Sequence, residues 1–136
     1  MATDCHSGDD LSLRQQLLAN RVALEPLFLA ALERGPGDPL RKHVRGMAES
    51  RDAEIEAFVR SGGRTGTRAS PGQPQEPRAT PELVEADFVL AYRSRAITGL
   101  AVVGGIAAKV RLRAIAADPK DPLRSSAEWA LPQLPP

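Results

Sequence analysis

Apolar residues recur every three or four positions along residues 11–32, the spacing that places side chains on one face of an α-helix. Two such stripes run along roughly opposite sides of the predicted helix. The first consists of Leu13, Leu17, Leu24, Phe28 and Leu32, and the second of Leu11, Leu18, Val22 and Leu29. A helix that is apolar on two sides packs between neighbours or contacts another chain. The second stripe is therefore a candidate partner-binding surface.

Local residue types set the limits of this first helical region. Residues 1–9 are polar and mixed, so we predict a disordered tail and a helix that begins near Asp10. Pro26 lacks an amide donor and disfavours helical geometry at Glu25. We therefore predict a kink or a short break there, with Pro26 opening a second segment. Glycines and a proline at 35–37 end the region.

A second helix is predicted over residues 40–60, with Asp38 as N-cap and Pro39 in the first turn. Its apolar face contains Leu40, Val44, Met47, Ala48, Ile55 and Phe58. The following residues, 61–80, contain four glycines, three prolines and no large apolar side chain, so they cannot offset the entropy of ordering. The pattern predicts an N-terminal helical hairpin at 10–60, a flexible linker at 61–80 and a helical module at 81–134.

The predicted C-terminal module contains three helices. The first opens at Pro81 and continues to Val103, where two glycines stop it. The next covers residues 106–117, and an Asp- and Pro-rich turn at 118–122 leads into the last. With about five helices, 4% aromatic residues and many Ala, Leu and Arg, the chain is predicted to be all-α.

Two internal offsets indicate a repeat. At 31 residues the segment 93–100 superposes on 124–131, and at 83 residues the turn at 36–41 superposes on 119–124. Similarity at a fixed period is typical of helical solenoids.

Residues 100–131 resemble the short HEAT-like helical repeat of phycobilisome-lyase-type proteins and of many bacterial scaffolds. The residues that carry the resemblance are Leu100, Val103, Gly104, Ala108, Leu112, Ile115, Asp118, Pro119, Leu123, Arg124, Ala127, Ala130 and Leu131. The resemblance implies an α-solenoid fragment of antiparallel helices, a fold that usually binds a partner protein. It also implies that Asp118 and Arg124 form a structural ladder and are not catalytic.

Charge and composition exclude several classes of function. The 18 basic and 17 acidic side chains leave a net charge of +1, so no global field attracts nucleic acid or anionic lipid. No uncharged run approaches the roughly 20 residues needed to cross a bilayer. A lone cysteine, Cys5, and a start without a secretory signal predict a cytoplasmic protein. With only His6 and His43 as histidines, we expect no metal, no cofactor and no catalytic residue.

The last helix offers the best single candidate for an interface. Its core face is predicted to consist of Leu123, Ala127, Ala130, Leu131 and Leu134. Trp129 lies about 140° away from this face at helical spacing. One repeat earlier the equivalent position is Thr98, beside Arg95 and Ile97, so these residues are expected on the same inner surface. Trp129 is either an exposed anchor for a partner, or it folds over the chain end or the N-terminal module.

Three functional hypotheses follow. The leading one is a non-enzymatic protein-protein interaction or assembly module, with a protein partner or self-association. The alternative is a nucleic-acid-associated helical protein, because residues 88–117 contain basic side chains and no acidic one. Its contact residues would be Arg93, Lys109, Arg111 and Arg113. A third hypothesis is an accessory subunit of an enzyme complex.

Overall fold

The computed structural model describes residues 7–62 and 79–136, and every regular element in these two ranges is a helix. The helices are α1 (Ser7–Ala19), α2 (Arg21–Arg34), α3 (Asp38–Arg60), α4 (Pro81–Val103), α5 (Ile106–Ala117) and α6 (Arg124–Ala130), followed by a short 3₁₀ helix (Leu131–Gln133). The prediction of an all-α fold is confirmed. None of these helices is both long enough and apolar enough to cross a membrane.

The first helical region breaks at Asn20, and the break predicted as one outcome at Pro26 is wrong. The Asn20 side-chain amide donates to the Gln16 carbonyl at 2.9 Å, and the Asn20 backbone N–H donates to the same carbonyl at 3.2 Å. The side-chain bond competes with the helical hydrogen-bond pattern and so favours a helix end at this residue. Pro26 lies inside α2, which is continuous from Arg21 to Arg34. This break is the reason that six α-helices are found where about five were expected.

The helices that border the predicted tail and linker do not begin and end at the predicted residues in every case. Helix α1 already begins at Ser7, three residues before the predicted start at Asp10. Of the predicted tail, residues 1–6 lie outside the described residues. Of the predicted linker, residues 63–78 lie outside them as well, and residues 61–62 form a turn after α3.

The described helices belong to two compact units. The first contains α1, α2, the part of α4 from Leu90 onward, α5 and α6. The second contains α3 and the start of α4 through Val89. This grouping cuts across the predicted ranges 10–60 and 81–134, because α2 packs with the C-terminal helices while α3 packs with the first turns of α4.

The core of the first unit is built from aliphatic side chains of α2, α4, α5 and α6, together with Leu123 just before α6. Its buried members are Leu32, Ala96, Ile97, Leu100, Ala101, Ala108, Leu112, Ile115, Leu123, Ala127 and Ala130. Leu131 and Leu134 pack against this cluster and are partly buried. The predicted core face of the last helix is therefore confirmed. Burying each large aliphatic side chain contributes roughly 1.5–3 kcal/mol, so this cluster is the main source of stability in the unit.

Several polar contacts and one ring contact join α2 to the rest of this unit. The Glu25 carboxylate accepts hydrogen bonds from the backbone at the start of α5, from Gly105 at 2.8 Å and from Ala108 at 3.1 Å. Arg93 Nε donates to the Leu32 carbonyl at the end of α2, at 2.7 Å. The Phe28 ring lies so close to Gly99 that a Cβ there would meet ring atoms at 2.5–2.7 Å. Helix α2 thus contacts both α4 and α5.

The second unit has no fully buried side chain in α3. Two arginines of α3 pair with glutamates in the first turns of α4. Arg41 Nε lies 3.1 Å from Glu85 Oε1, and Arg45 Nη2 lies 2.7 Å from Glu82 Oε1. These pairs are exposed, and exposed pairs contribute only about 0–1 kcal/mol each. The unit therefore rests on few buried contacts and leaves much of α3 uncovered.

Candidate partner-binding surface

Trp129 is half exposed, with 50% of its surface accessible. The opposite side of α6 is fully buried, since Leu123, Ala127 and Ala130 are at most 1% exposed. Two alanines on that side allow α6 to pack closely on the core, and the spacing of 3.6 residues per turn then directs Trp129 away from it. A large aromatic side chain is thus held at the surface by a well-packed helix.

Arg95 and Thr98 are both exposed on α4, and a serine pair connects their turn to α6. The Oγ atoms of Ser94 and Ser126 are 3.0 Å apart. Arg95 directly follows Ser94, and Thr98 lies one turn further on, donating to the Ser94 carbonyl at 3.4 Å. Trp129 follows Ser126 by three residues. The three predicted interface residues therefore all lie within about one helical turn of this serine contact.

Ile97 does not belong to this surface. It was expected beside Thr98 on the inner face, but it is completely buried and forms part of the core. The reason is its position between the neighbouring core residues Ala96 and Leu100, which lie on the same side of α4 at helical spacing.

The second apolar stripe is divided between two environments. Leu11 and Val22 are exposed, Leu18 is half-buried, and Leu29 packs against the core. The stripe presupposes one continuous helix, whereas the chain forms two helices that meet at Asn20. Leu29 is partly buried against the core, so only part of its side chain is exposed.

The basic residues of the nucleic-acid alternative are only partly free. Arg93 is part-buried and donates to the Leu32 carbonyl. Arg111 forms a bidentate ion pair with Glu33, with Nη2 and Oε2 at 3.2 Å. The hydrogen bond from Arg111 lowers the pKa of Glu33, and the same bond raises the pKa of Arg111.

Lys109 and Arg113 are exposed on α5. Because Arg93 and Arg111 already have internal partners, these two are the members of the predicted patch that can reach a phosphate. Two cations one turn apart give a small patch, with little of the counterion release that drives nucleic-acid binding.

The predicted ladder residues bond locally. Asp118 Oδ1 accepts from the Lys120 backbone N–H at 2.9 Å, which closes the turn after α5. Arg124 Nε donates to Glu128 Oε1 at 2.8 Å, one turn later on α6. Both residues act structurally, but within the described chain they pair with these neighbours and not with each other. A further turn residue, Asp121, accepts from the Leu123 N–H at 2.8 Å.

The sequence reasoning missed two groups that position this surface. Nothing in the sequence indicates that Ser94 and Ser126 are in contact, because a hydroxyl contact between two helices leaves no pattern in either helix. The sequence marks Glu25 only as the residue before a proline, and it does not show that the Glu25 carboxylate accepts hydrogen bonds from the start of α5. Within residues 7–62 and 79–136, no three His, Cys, Asp or Glu side chains are grouped so that they could hold a metal ion.

The described residues define an all-α protein with a half-exposed tryptophan on its last α-helix. Comparison of the chain with protein-family models, with curated proteins and with solved structures finds no match. The resemblance to a HEAT-like repeat stays a prediction.

Proposed function

We propose that this chain is a non-enzymatic protein-protein interaction or assembly module, and that Trp129, Thr98 and Arg95 belong to its binding face. One observation carries the proposal. Trp129 is half exposed on a helix whose other side is tightly buried. Tryptophan is strongly enriched among the residues that dominate binding energy, and burial of an exposed indole by a partner stabilises a complex.

The neighbours of Trp129 support the same function. Arg95 supplies an exposed guanidinium and Thr98 an exposed hydroxyl, on the turn of α4 that the Ser94–Ser126 contact joins to α6. An aromatic anchor with arginine and a few hydrogen-bonding groups nearby is the composition of many protein interfaces. The chemistry suits a partner that presents an apolar side chain flanked by a carboxylate.

The finer form of the proposal is a short HEAT-like α-solenoid fragment that acts in the cytoplasm. The buried positions of Leu112, Ile115 and Ala127 support the repeat, because these residues carry the resemblance and form one core. The nucleic-acid alternative loses support, because Arg93 and Arg111 are held by partners within the first unit.

The test is capture of binding partners by the full chain and by Trp129→Ala, followed by mass spectrometry. Truncation of a central interface tryptophan costs about 2–4 kcal/mol, so we expect recovery of the specific partner to fall by at least about tenfold. Helical circular dichroism should stay nearly unchanged, because half of the indole already faces solvent.

Val110→Ala is the matched control, since Val110 is an exposed apolar residue on α5 outside the proposed face. It should capture the same partner as the wild type. Equal capture by Trp129→Ala would refute the proposed face, and extensive unfolding of that variant would assign Trp129 to the core instead.

A further inference from the structure

One exposed face of α3 has the spacing of a coiled-coil seam. Six residues alternate at steps of four and three, which is the pattern that places side chains along a helix-helix contact. These residues, which we call the α3 seam, are Leu40, Val44, Met47, Arg51, Glu54 and Phe58. At 100° per residue they lie within an arc of about 80°. Met47 is 60% exposed, Phe58 49% and Leu40 42%, so the second unit leaves this seam largely open.

Helix α4 forms ion pairs with a different side of α3, through Arg41 and Arg45, which lie about 100–140° around α3 from the centre of the seam. Two grooves flank the seam, and Met47 and Arg51 line both of them. Val84 of α4 also lines the first groove, so α4 borders one edge of the seam. Such grooves beside a protruding row can receive the side chains of another helix.

The composition of the chain excludes one internal source of cover. Residues 63–78, which lead from α3 to α4, contain no Leu, Ile, Val, Met, Phe, Tyr or Trp. This segment therefore has no large apolar side chain to place over Met47 and Phe58. An occupant with apolar side chains at matching spacing has to come from elsewhere.

The charged residues of the seam indicate which partner fits it. Arg51 and Glu54 are both exposed, and among the residues that the structure describes neither takes part in an ion pair. If a second α3 runs antiparallel about a two-fold axis between positions 52 and 53, Arg51 faces the partner's Glu54. Symmetry repeats this pair, and it also places Met47 against the partner's Phe58 twice. A parallel arrangement would instead set Arg51 against the partner's Arg51 and Glu54 against the partner's Glu54.

We propose that a second copy of this chain docks antiparallel along the α3 seam and forms a symmetric dimer held by two Arg51–Glu54 pairs and two Met47–Phe58 contacts. Polar residues at seam positions fix the register and orientation of paired helices. The paired helical region spans positions 45–60, about 24 Å of helix. A contact of this length is at the small end of specific interfaces, so the dimer is reversible and forms with rising concentration.

The first experiment measures the molar mass of the full chain by sedimentation velocity between about 1 and 500 µM, the range expected for a small interface. The wild type should pass from monomer to dimer. Arg51→Glu places like charges together at both symmetric pairs, and so does Glu54→Arg. Each should weaken dimerisation at least about tenfold, because opposed like charges at a contact are strongly unfavourable.

Two further measurements follow from the symmetry. The double variant Arg51→Glu/Glu54→Arg restores both opposite-charge pairs and should dimerise within about threefold of the wild type. A mixture of the two single variants should form a heterodimer at concentrations where each alone is still mostly monomeric, because the two chains then carry complementary charges at positions 51 and 54.

Lys42→Glu is the matched control for Arg51→Glu, since Lys42 is exposed on the opposite side of α3 and both changes lower the net charge by the same amount. It should leave dimerisation unchanged. Trp129→Ala should also dimerise, which separates this surface from the proposed partner-binding face.

A wild type that stays monomeric throughout, single reversals without effect or a double variant without rescue would each overturn the proposal. Single reversals without effect are also the outcome of a parallel dimer, in which one pair of like charges merely replaces another. If one single variant loses helical circular dichroism, the other single variant and the double variant still decide the question.

Discussion

Glu25 Oε1 accepts a hydrogen bond from the backbone N–H of Gly105, 80 residues away in the sequence, at 2.8 Å. The same oxygen accepts from the Ala108 N–H at 3.1 Å. These donors belong to the start of α5, where backbone N–H groups have no partner within the helix. Gly105 has no side chain that could cap the helix itself. Glu25 therefore caps α5 from a different helix and places a negative charge at its positive end.

Replacement of Glu25 should destabilise the first unit. For Glu25→Ala we expect a loss of about 1–2 kcal/mol, because both donors lose their acceptor and the helix dipole loses its counter charge. Glu25→Gln keeps an oxygen acceptor and should lose about half as much. Urea denaturation followed by circular dichroism measures both. Asp87→Ala, at an exposed position of α4, is the control and should be nearly neutral. A Glu25→Ala variant as stable as the wild type would contradict the cap.

This contact shows where sequence reasoning ends. The apolar period within α5 and α6 predicted the burial of Leu112, Ile115 and Ala127, because a helical period needs only local order. A cap supplied from 80 residues away leaves no such period. The break at Asn20 is a related case. Pro26 is the residue in this region that local rules mark as a helix breaker, whereas the Asn20 side-chain bond that competes with the helical hydrogen bonds is visible only in the structure.

Two glycines inside helices should respond in opposite directions to alanine. At Gly99 a Cβ would lie 2.5–2.7 Å from the Phe28 ring, so Gly99→Ala forces the ring or α2 to shift. We expect a loss of about 1–3 kcal/mol, the usual cost of overpacking. Gly46 in α3 has open space around it. There alanine should stabilise by about 0.5–1 kcal/mol, since glycine is a poor helix former.

Thermal unfolding of both variants beside the wild type checks the difference in sign. The change Phe28→Leu supplies a further control, because it removes the ring that the new methyl group meets. Gly99→Ala combined with Phe28→Leu should lose less than the sum of the two single losses, as expected for residues in contact. Additive losses, or a stabilised Gly99→Ala, would show that the close approach is relieved at little cost.

The candidate surface was predictable only in part. The outward position of Trp129 followed from helical spacing within one short helix, and the 50% exposure agrees with it. Arg93 and Arg111 were assigned to a basic patch on the same reasoning, yet their partners are the Leu32 carbonyl and Glu33, 61 and 78 residues away. Helical periodicity shows which residues share one side of a helix, but it does not show which distant segment packs against that side.

The Glu33–Arg111 pair predicts a stability difference that depends on pH. The hydrogen bond from Arg111 lowers the pKa of Glu33 in the folded protein. A carboxyl group with a lowered folded pKa stabilises the protein above its ordinary unfolded value, about 4.3, and this contribution disappears as the pH falls through the folded pKa. Both side chains are partly exposed, so solvent screening limits the contribution to at most about 1 kcal/mol.

Arg111→Gln should therefore be less stable than the wild type at pH 7, with a difference that shrinks steadily below pH of about 4.3 as Glu33 becomes protonated. Urea denaturation at a series of pH values measures this difference. Arg113→Gln is the matched control, because Arg113 is exposed on the same helix and lies outside the ion pairs of the described chain. Its difference from the wild type should not follow the protonation of Glu33. A difference for Arg111→Gln that stays constant between pH 7 and pH of about 3 would mean that this ion pair adds nothing to folding, because protonation of Glu33 must remove any charge-dependent contribution.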